Sequence, residues 1–357
     1  MGYASKYVPG HINRKQGIQV GTKFEGKITR DEKGKLQFDM DGIHFLQQLG
    51  VEWVMISGNQ VPEHTVDTFL EVKERLAEFG LQIYCLHSQG YHNMPDVTLG
   101  LENRDSMIEK YLEHITRLGK AGIRYSTYAH MGNGIWRNDA RHTIRGGATS
   151  GGLNFGEPNR AQGKFDFTWP LSHGRVYTED ELWKNYEYFI KQVAPVAESA
   201  GVYIGVHPDD PPIFTVAGVP RCIFGNFEGY KRAIDLANSP NIGTCLCVGC
   251  WLEGGEAIGC SPEEFIKYFG ARKKLFKLHM RNVSEPMTMT TGFDETFPDE
   301  GYYNLANVIK ALDDIEFDGA IINDHLVSMV GGHYASEAAM TMWLQGAVAG
   351  IQNHRIS

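Results

Sequence analysis

No apolar run in this chain approaches the roughly 20 residues that a membrane-spanning helix needs, which sets aside a helical membrane protein. A basic stripe is also missing. The formal net charge is −9, and that balance argues against nucleic acid as the main partner. Residues 1–15 lack the apolar stretch of a secretion signal, so the expected location is the cytoplasm. Cysteine is sparse, with six in 357 residues. A chain this long does not depend on a disulfide framework, and a reducing compartment favours free thiols. No Gly-rich dinucleotide fingerprint follows the early strands, which weighs against an open doubly wound sheet.

What the chain does contain is a regular alternation of apolar and amphipathic segments. Hydrophobic residues make up 42% of it, enough for a sizeable core. Strands are expected at 17–24, 52–56, 81–86, 123–128, 202–206, 242–248, 275–278 and 320–322. Helices are expected at 70–79, 104–121, 179–200, 228–237, 262–269, 305–312 and 335–351. Asn103 is placed to cap the second helix and Gly201 to stop the third. Short, nearly continuous apolar strands separated by helices describe a parallel sheet covered on both faces. Eight of them predict a (β/α)8 TIM barrel, one domain over 1–357. Residues 142–177, rich in Gly, Asn and aromatics, break the rhythm. They are expected to form an extended loop insertion after the fourth strand, as a substrate cover or an oligomer contact.

Four strand ends each carry a metal-ligand side chain: His207, Cys247, His279 and Asp324. In a barrel, successive strand ends converge on one rim, so these four can meet at one divalent ion. Each residue alone has a plainer reading, as a packed imidazole, a buried thiol or a turn cap. The coincidence at four consecutive strands favours the metal. Cys245 shares a strand face with Cys247 but lies deeper, as an ordinary buried cysteine. Cys250 and Cys260 fall in the following loop, with no expected role. Arg281, two residues after His279, is a candidate clamp for a substrate carboxylate. Its plainer reading is a structural salt bridge. His325 is a candidate acid/base group beside Asp324. His87 and His130 end strands on the same rim and are candidate substrate contacts, as is Asp209 near His207. His92, His173 and His333 are expected in loops, solvated. Tyr334 opens the last helix and is placed to overhang the site.

Several stretches make the chain resemble the mannonate dehydratases of the xylose-isomerase-like barrel superfamily. They are 177–185 running on to 206–212, 276–283 with Phe293-Asp294-Glu295 after it, 239–247, and 99–105. The resemblance implies a barrel enzyme, a hydro-lyase converting D-mannonate to 2-keto-3-deoxy-D-gluconate with Mn2+ or a similar divalent ion. It places the metal ligands on His207, Cys247, His279 and Asp324, the acid/base histidine on His325 and the catalytic tyrosine on Tyr334. Two stretches depart from the family pattern. Ile322-Asn323-Asp324-His325-Leu326 stands where Arg-Pro-Asp-His-Gly is usual, and 301–305 lacks the two acids usual there. The expected partner is a small sugar acid, with a homo-oligomer left open. The competing readings are a sugar isomerase or epimerase, a sugar-acid binding protein, and an iron–sulfur protein using the C-x-C-x2-C-x9-C cysteines.

Overall fold

The computed structural model describes residues 17–138, 141–154, 158–159, 163–164, 170–288 and 290–353. Eight parallel strands form the barrel wall. β1 is split into Gln19–Val20 and Thr22–Lys23. β2 is Trp53–Ser57, β3 Gln82–His87, β4 Tyr125–Ala129 and β5 Tyr203–His207. β6 is Ile242–Cys247, β7 Leu275–Met280 and β8 Ala320–Asn323. Every residue of β6 and β7 is buried, which explains their largely apolar character, with Thr244, Lys277 and His279 as the polar exceptions. Ladders join β4 to β5, β5 to β6, β6 to β7 and β7 to β8 in sequence order. At the β3–β4 seam the Ser126 hydroxyl donates to the Leu86 carbonyl at 3.1 Å.

Closure depends on the break in β1. Gln19 and Val20 pair with Ala320 and Ile321 of β8, whereas Thr22 and Lys23 pair with Val54 and Met55 of β2. Gly21 is the joint, and its N–H donates to the Ile321 carbonyl at 3.0 Å. A Cβ there would lie 2.7 Å from the Trp53 carbonyl oxygen, so only glycine lets the chain pass from one partner to the other. The sequence reading gave this stretch as one strand, because the switch of partner leaves no mark in its apolar pattern.

Helices cover the wall. They are α1 (Met40–Gln48), α2 (Val66–Glu78), α3 (Arg104–Lys120), α4 (Glu179–Ala200) and α5 (Phe227–Ala237). The series ends with α6 (Val248–Gly254), α7 (Pro262–Ala271), α8 (Leu305–Asp314) and α9 (Gly332–Asn353). Local chemistry explains several ends. Thr178 and Glu181 form a reciprocal capping box at α4, and Gly201 closes that helix in the left-handed conformation. Ser261 and Glu264 do the same for α7, with Pro262 in its first turn. Asn103 is a correction. It precedes α3 as expected, but its side chain makes no capping bond.

Part of the expected insertion folds back on the rim. His142–Thr143 pairs with Thr149–Ser150, and Gly152–Leu153 pairs with Phe293 and Asp294 beyond β7. Thr149 also bridges Ser328 after β8. No helix among the described residues is long and apolar enough to cross a membrane. Gly21→Ala should destabilise the fold by about 1–3 kcal/mol through overpacking against the β2 backbone. Urea unfolding measures this, and an unchanged midpoint would refute the account of barrel closure.

Candidate metal centre

β5, β6 and β7 deliver His207, Cys247 and His279 to one level of the rim, and Asp324 follows β8. Register brings Cys247 beside His279 and His279 beside Ile322. One ligand atom from each of His207, Cys247, His279 and Asp324 lies within 4.8 Å of the others, and all four residues are buried. The structure thus gathers the four residues that the strand ends singled out.

Their chemistry fits a divalent cation. His207 Nδ1 lies 2.7 Å from the Pro208 carbonyl, a bond that places the proton on Nδ1 and leaves the Nε2 lone pair free. Neither ring nitrogen of His279 has a hydrogen-bond partner, although Nδ1 is 3.4 Å from Asp324 Oδ1. Burial pushes this imidazole down to about 4, so it is neutral and offers a lone pair. The Cys247 sulfur lies 3.3 Å from Asp324 Oδ2. Burial opposes ionisation of this thiol. Hydrogen bonding with Cys250, the Arg281 charge and His207 override it and hold the thiol well below its usual range. A thiolate and a carboxylate this close need a proton or a cation between them. Two nitrogen donors, a thiolate and a carboxylate suit Mn, Co, Ni or Zn.

Arg281 is a correction. Its guanidinium has no exposed surface and is spent on protein carboxylates. Nη1 lies 2.6 Å from Glu253 and 3.1 Å from Glu295, and Nε lies 3.2 Å from Asp324. Nη2 is 3.4 Å from Cys250 Sγ and 3.6 Å from Asp210. β7 ends at Met280, so strand alternation no longer aims the next side chain at the barrel axis. Gly249 of α6 leaves the space, since a Cβ there would sit 2.4 Å from Arg281 Nε. Arg137, which the sequence reading did not single out, completes the lattice at 2.5 Å from Asp210 and 3.0 Å from both Glu253 and Glu295. Cys250 also departs from expectation, lying on α6 against Arg281 rather than in a loop.

The remaining candidates divide. His325 stands at the cluster, one-third exposed, with Nδ1 2.6 Å from Glu295 and Nε2 3.8 Å from Asp324 Oδ1. Burial disfavours its charged form, but Asp324 and Glu295 outweigh this and raise its pKa. His87 is half-buried, and its ring lies 5.9 Å from that of His92. Burial, then Lys277 and Lys23, push it down to about 3. His92 is not a solvated loop residue, because its ring packs 6.0 Å from that of His207. His130 is a second correction. Tyr128 binds it, and Tyr186, Phe189 and Phe224 surround it behind the wall, so it cannot meet a ligand. Asp209 is a third, buried with Arg221 at 3.6 Å and raised by that burial to about 6. Tyr334 is a fourth. α9 starts at Gly332, which turns the Tyr334 ring onto Phe45 of α1 at 4.5 Å, with 41% of the residue exposed. The iron–sulfur arrangement is absent, because no group of potential metal ligands among the described residues holds more than one cysteine. Cys245 is an inert buried thiol, pushed up to about 12 by burial.

Known proteins carry similar sequences and folds. A family model described as D-mannonate dehydratase (UxuA) matches residues 39–157 and 158–354. A mannonate dehydratase of Streptococcus equi subsp. zooepidemicus is 32% identical over 279 residues, 73% of this chain and 74% of that protein. The crystal structure of mannonate dehydratase from Streptococcus suis serotype 2 superposes with a TM-score of 0.76 at 25% identity, covering 96% of this chain and 95% of the other. An L-ribulose 3-epimerase shares the fold at 11% identity, with a TM-score of 0.59 over 95% of this chain and 97% of the other.

Two measurements test the centre. Cobalt(II) bound to the protein should give a near-ultraviolet sulfur-to-metal absorption that Cys247→Ser abolishes. A cobalt complex lacking that band would remove Cys247 from the ligand set. Arg281→Ala leaves Glu253 and Glu295 short of a buried partner and should cost about 3–5 kcal/mol in urea unfolding. A cost under 1 kcal/mol would mean that water replaces the guanidinium.

Proposed function

The chain belongs to the D-mannonate dehydratase family, and from that premise we propose that it dehydrates D-mannonate to 2-keto-3-deoxy-D-gluconate. The C2–H bond breaks, its electron pair becomes the C2–C3 double bond, and the C3 hydroxyl leaves as water once protonated. The enol product then relaxes to the 2-keto acid. His207, Cys247, His279 and Asp324 would hold a divalent ion, Mn2+ in our reading, which when bound would supply a Lewis acid for the negative charge developing beside C2.

The observation that carries the residue assignment is the contact of His325 with Glu295 beside the four-ligand cluster. Glu295 accepts the Nδ1 proton, which fixes the ring and leaves Nε2 as the atom that exchanges protons. Carboxylates on both sides favour the imidazolium, a form suited to protonating the departing C3 oxygen. Arg281 and Arg137 in turn hold Glu295 in place. Their part is to position the acid rather than touch the substrate. Tyr334, at the outer rim, does not enter this assignment.

The reaction is followed by a proton NMR time course of manganese-loaded protein with D-mannonate in heavy water. Signals of 2-keto-3-deoxy-D-gluconate are expected. Exchange at C2 without that product would instead indicate an isomerase or epimerase. His325→Asn should reduce turnover by at least about 100-fold, the low end for loss of a general acid, with metal content unchanged. Loss of the metal along with activity would contradict the role given to His325.

A further inference from the structure

Two lysines near the barrel mouth are not neutralised by protein carboxylates. Lys277 precedes His279 by two residues on β7, so both side chains project to the inside of the wall. Its neighbours across the ladders are Cys245 and Ala320, both small. Lys277 is only 3% exposed. Its ammonium has no hydrogen bond or ion pair among the described residues, and its recorded contact is the Tyr125 ring at 6.0 Å. Without a carboxylate of its own, this ammonium is open to an incoming anion. Lys23 ends β1 and donates to the Asp324 carbonyl at 2.8 Å. That bond uses one of its three N–H groups. Lys23 sits against Asp324 and Lys277 lies two residues before His279, so the two lysines flank the same four-residue cluster.

The arginines of the site are meanwhile committed to Asp210, Glu253, Glu295 and Asp324. A sugar acid reaching this cluster must have its carboxylate met by another cation. We propose that Lys277 and Lys23 form the carboxylate subsite, with Lys277 as the buried contact and Lys23 as the contact nearer the rim. The inference rests on the sugar-acid reading above for the identity of the anion. It assigns substrate selectivity to a lysine from the wall of the barrel and not to the arginine after β7.

The test is calorimetric binding of D-mannonate and of D-mannitol, its uncharged counterpart, to metal-loaded protein. A His325→Asn background removes turnover. The preference for mannonate should be on the order of 30-fold or more, the usual consequence of losing a buried charge partner, and should fall to near unity in Lys277→Met. Lys23→Gln should lower it several-fold. If the preference survives Lys277→Met, the subsite assignment is wrong while the sugar-acid reading stands. If no form prefers mannonate, the sugar-acid reading itself fails. A stability measurement covers the chance that the variant is simply misfolded. Lys277→Met keeps an unbranched side chain in a mostly buried position, so the metal-free variant should melt close to the parent. A lower midpoint would mark Lys277 as a structural residue and overturn the proposal. So would full mannonate affinity combined with loss of C2-proton exchange, which would make Lys277 the base.

Discussion

The site depends on one buried guanidinium. Arg281 touches carboxylates from four separate stretches: Asp210 after β5, Glu253 on α6, Glu295 in the segment after β7, and Asp324 after β8. Two of these stretches also carry candidate metal ligands, His207 and Asp324. The arginine therefore sets the separation between strand ends that would otherwise repel one another. Arginine suits this because it stays charged when buried and presents donors in a fixed planar fork. A lysine would offer a point charge and could lose its proton. The arrangement is not an efficient source of stability, since buried ion pairs seldom outperform apolar packing. Its value is positional. Any shift of Asp324 relative to Cys247 would disturb a cluster held within 4.8 Å.

Arg137 extends the same lattice to the segment after β4. It shares Asp210, Glu253 and Glu295 with Arg281, and its guanidinium lies 4.9 Å from the Phe293 ring centroid. Gly152 and Leu153, a few residues on, pair with Asp294 and Phe293. The segment after β4 is thus fastened to the strand that carries Glu295. Glu295 in turn orients His325. A chain of contacts runs from a loop that looked irregular in sequence to the proton-transfer group, and each link is a charged pair or a backbone ladder.

The four candidate ligand positions were legible in the sequence because simple rules bring their side chains to one rim. Strands alternate their faces, and parallel barrel strands end on one rim. His207, Cys247 and His279 lie within strands or at their last residues, where both rules still hold. Asp324 lies one residue past β8 and still joins the cluster, but elsewhere the rules fail beyond the strand end. Arg281 follows the end of β7, and its direction is set by the space above Gly249, which no periodicity reports. His130 fails in the same way just past β4, where an aromatic nest receives the ring. Tyr334 depended on where α9 begins, and helix starts are poorly fixed by pattern. Glu253 and Arg137 carried no local signal. An acid on a helix and an arginine in a loop are normally solvated, and only the assembled fold shows them buried together. Resemblance to a family named the four candidate ligands and His325 but could not supply these contacts.

Charge completes the account of why a metal and extra cations belong here. Asp210, Glu295, Asp324 and the Cys247 thiolate bring four negative charges, while Arg137, Arg281 and protonated His325 bring three positive ones. Glu253 adds to the negative side when ionised. Burial and the neighbouring Asp210 press it toward its neutral form. Burial disfavours the charged form of His207, but Cys247 and Asp324 raise it, and with His207 charged the four negative groups meet four positive ones, so the cluster has no positive charge to spare for a sugar acid. A divalent ion held by His207, Cys247, His279 and Asp324 would add positive charge there, in a buried site where screening by salt is weak. The carboxylate of the substrate still lies one or more bonds from the reacting carbons, and it needs a cation that the ligand carboxylates have not already consumed. Lys277 and Lys23 stand where such a cation is required.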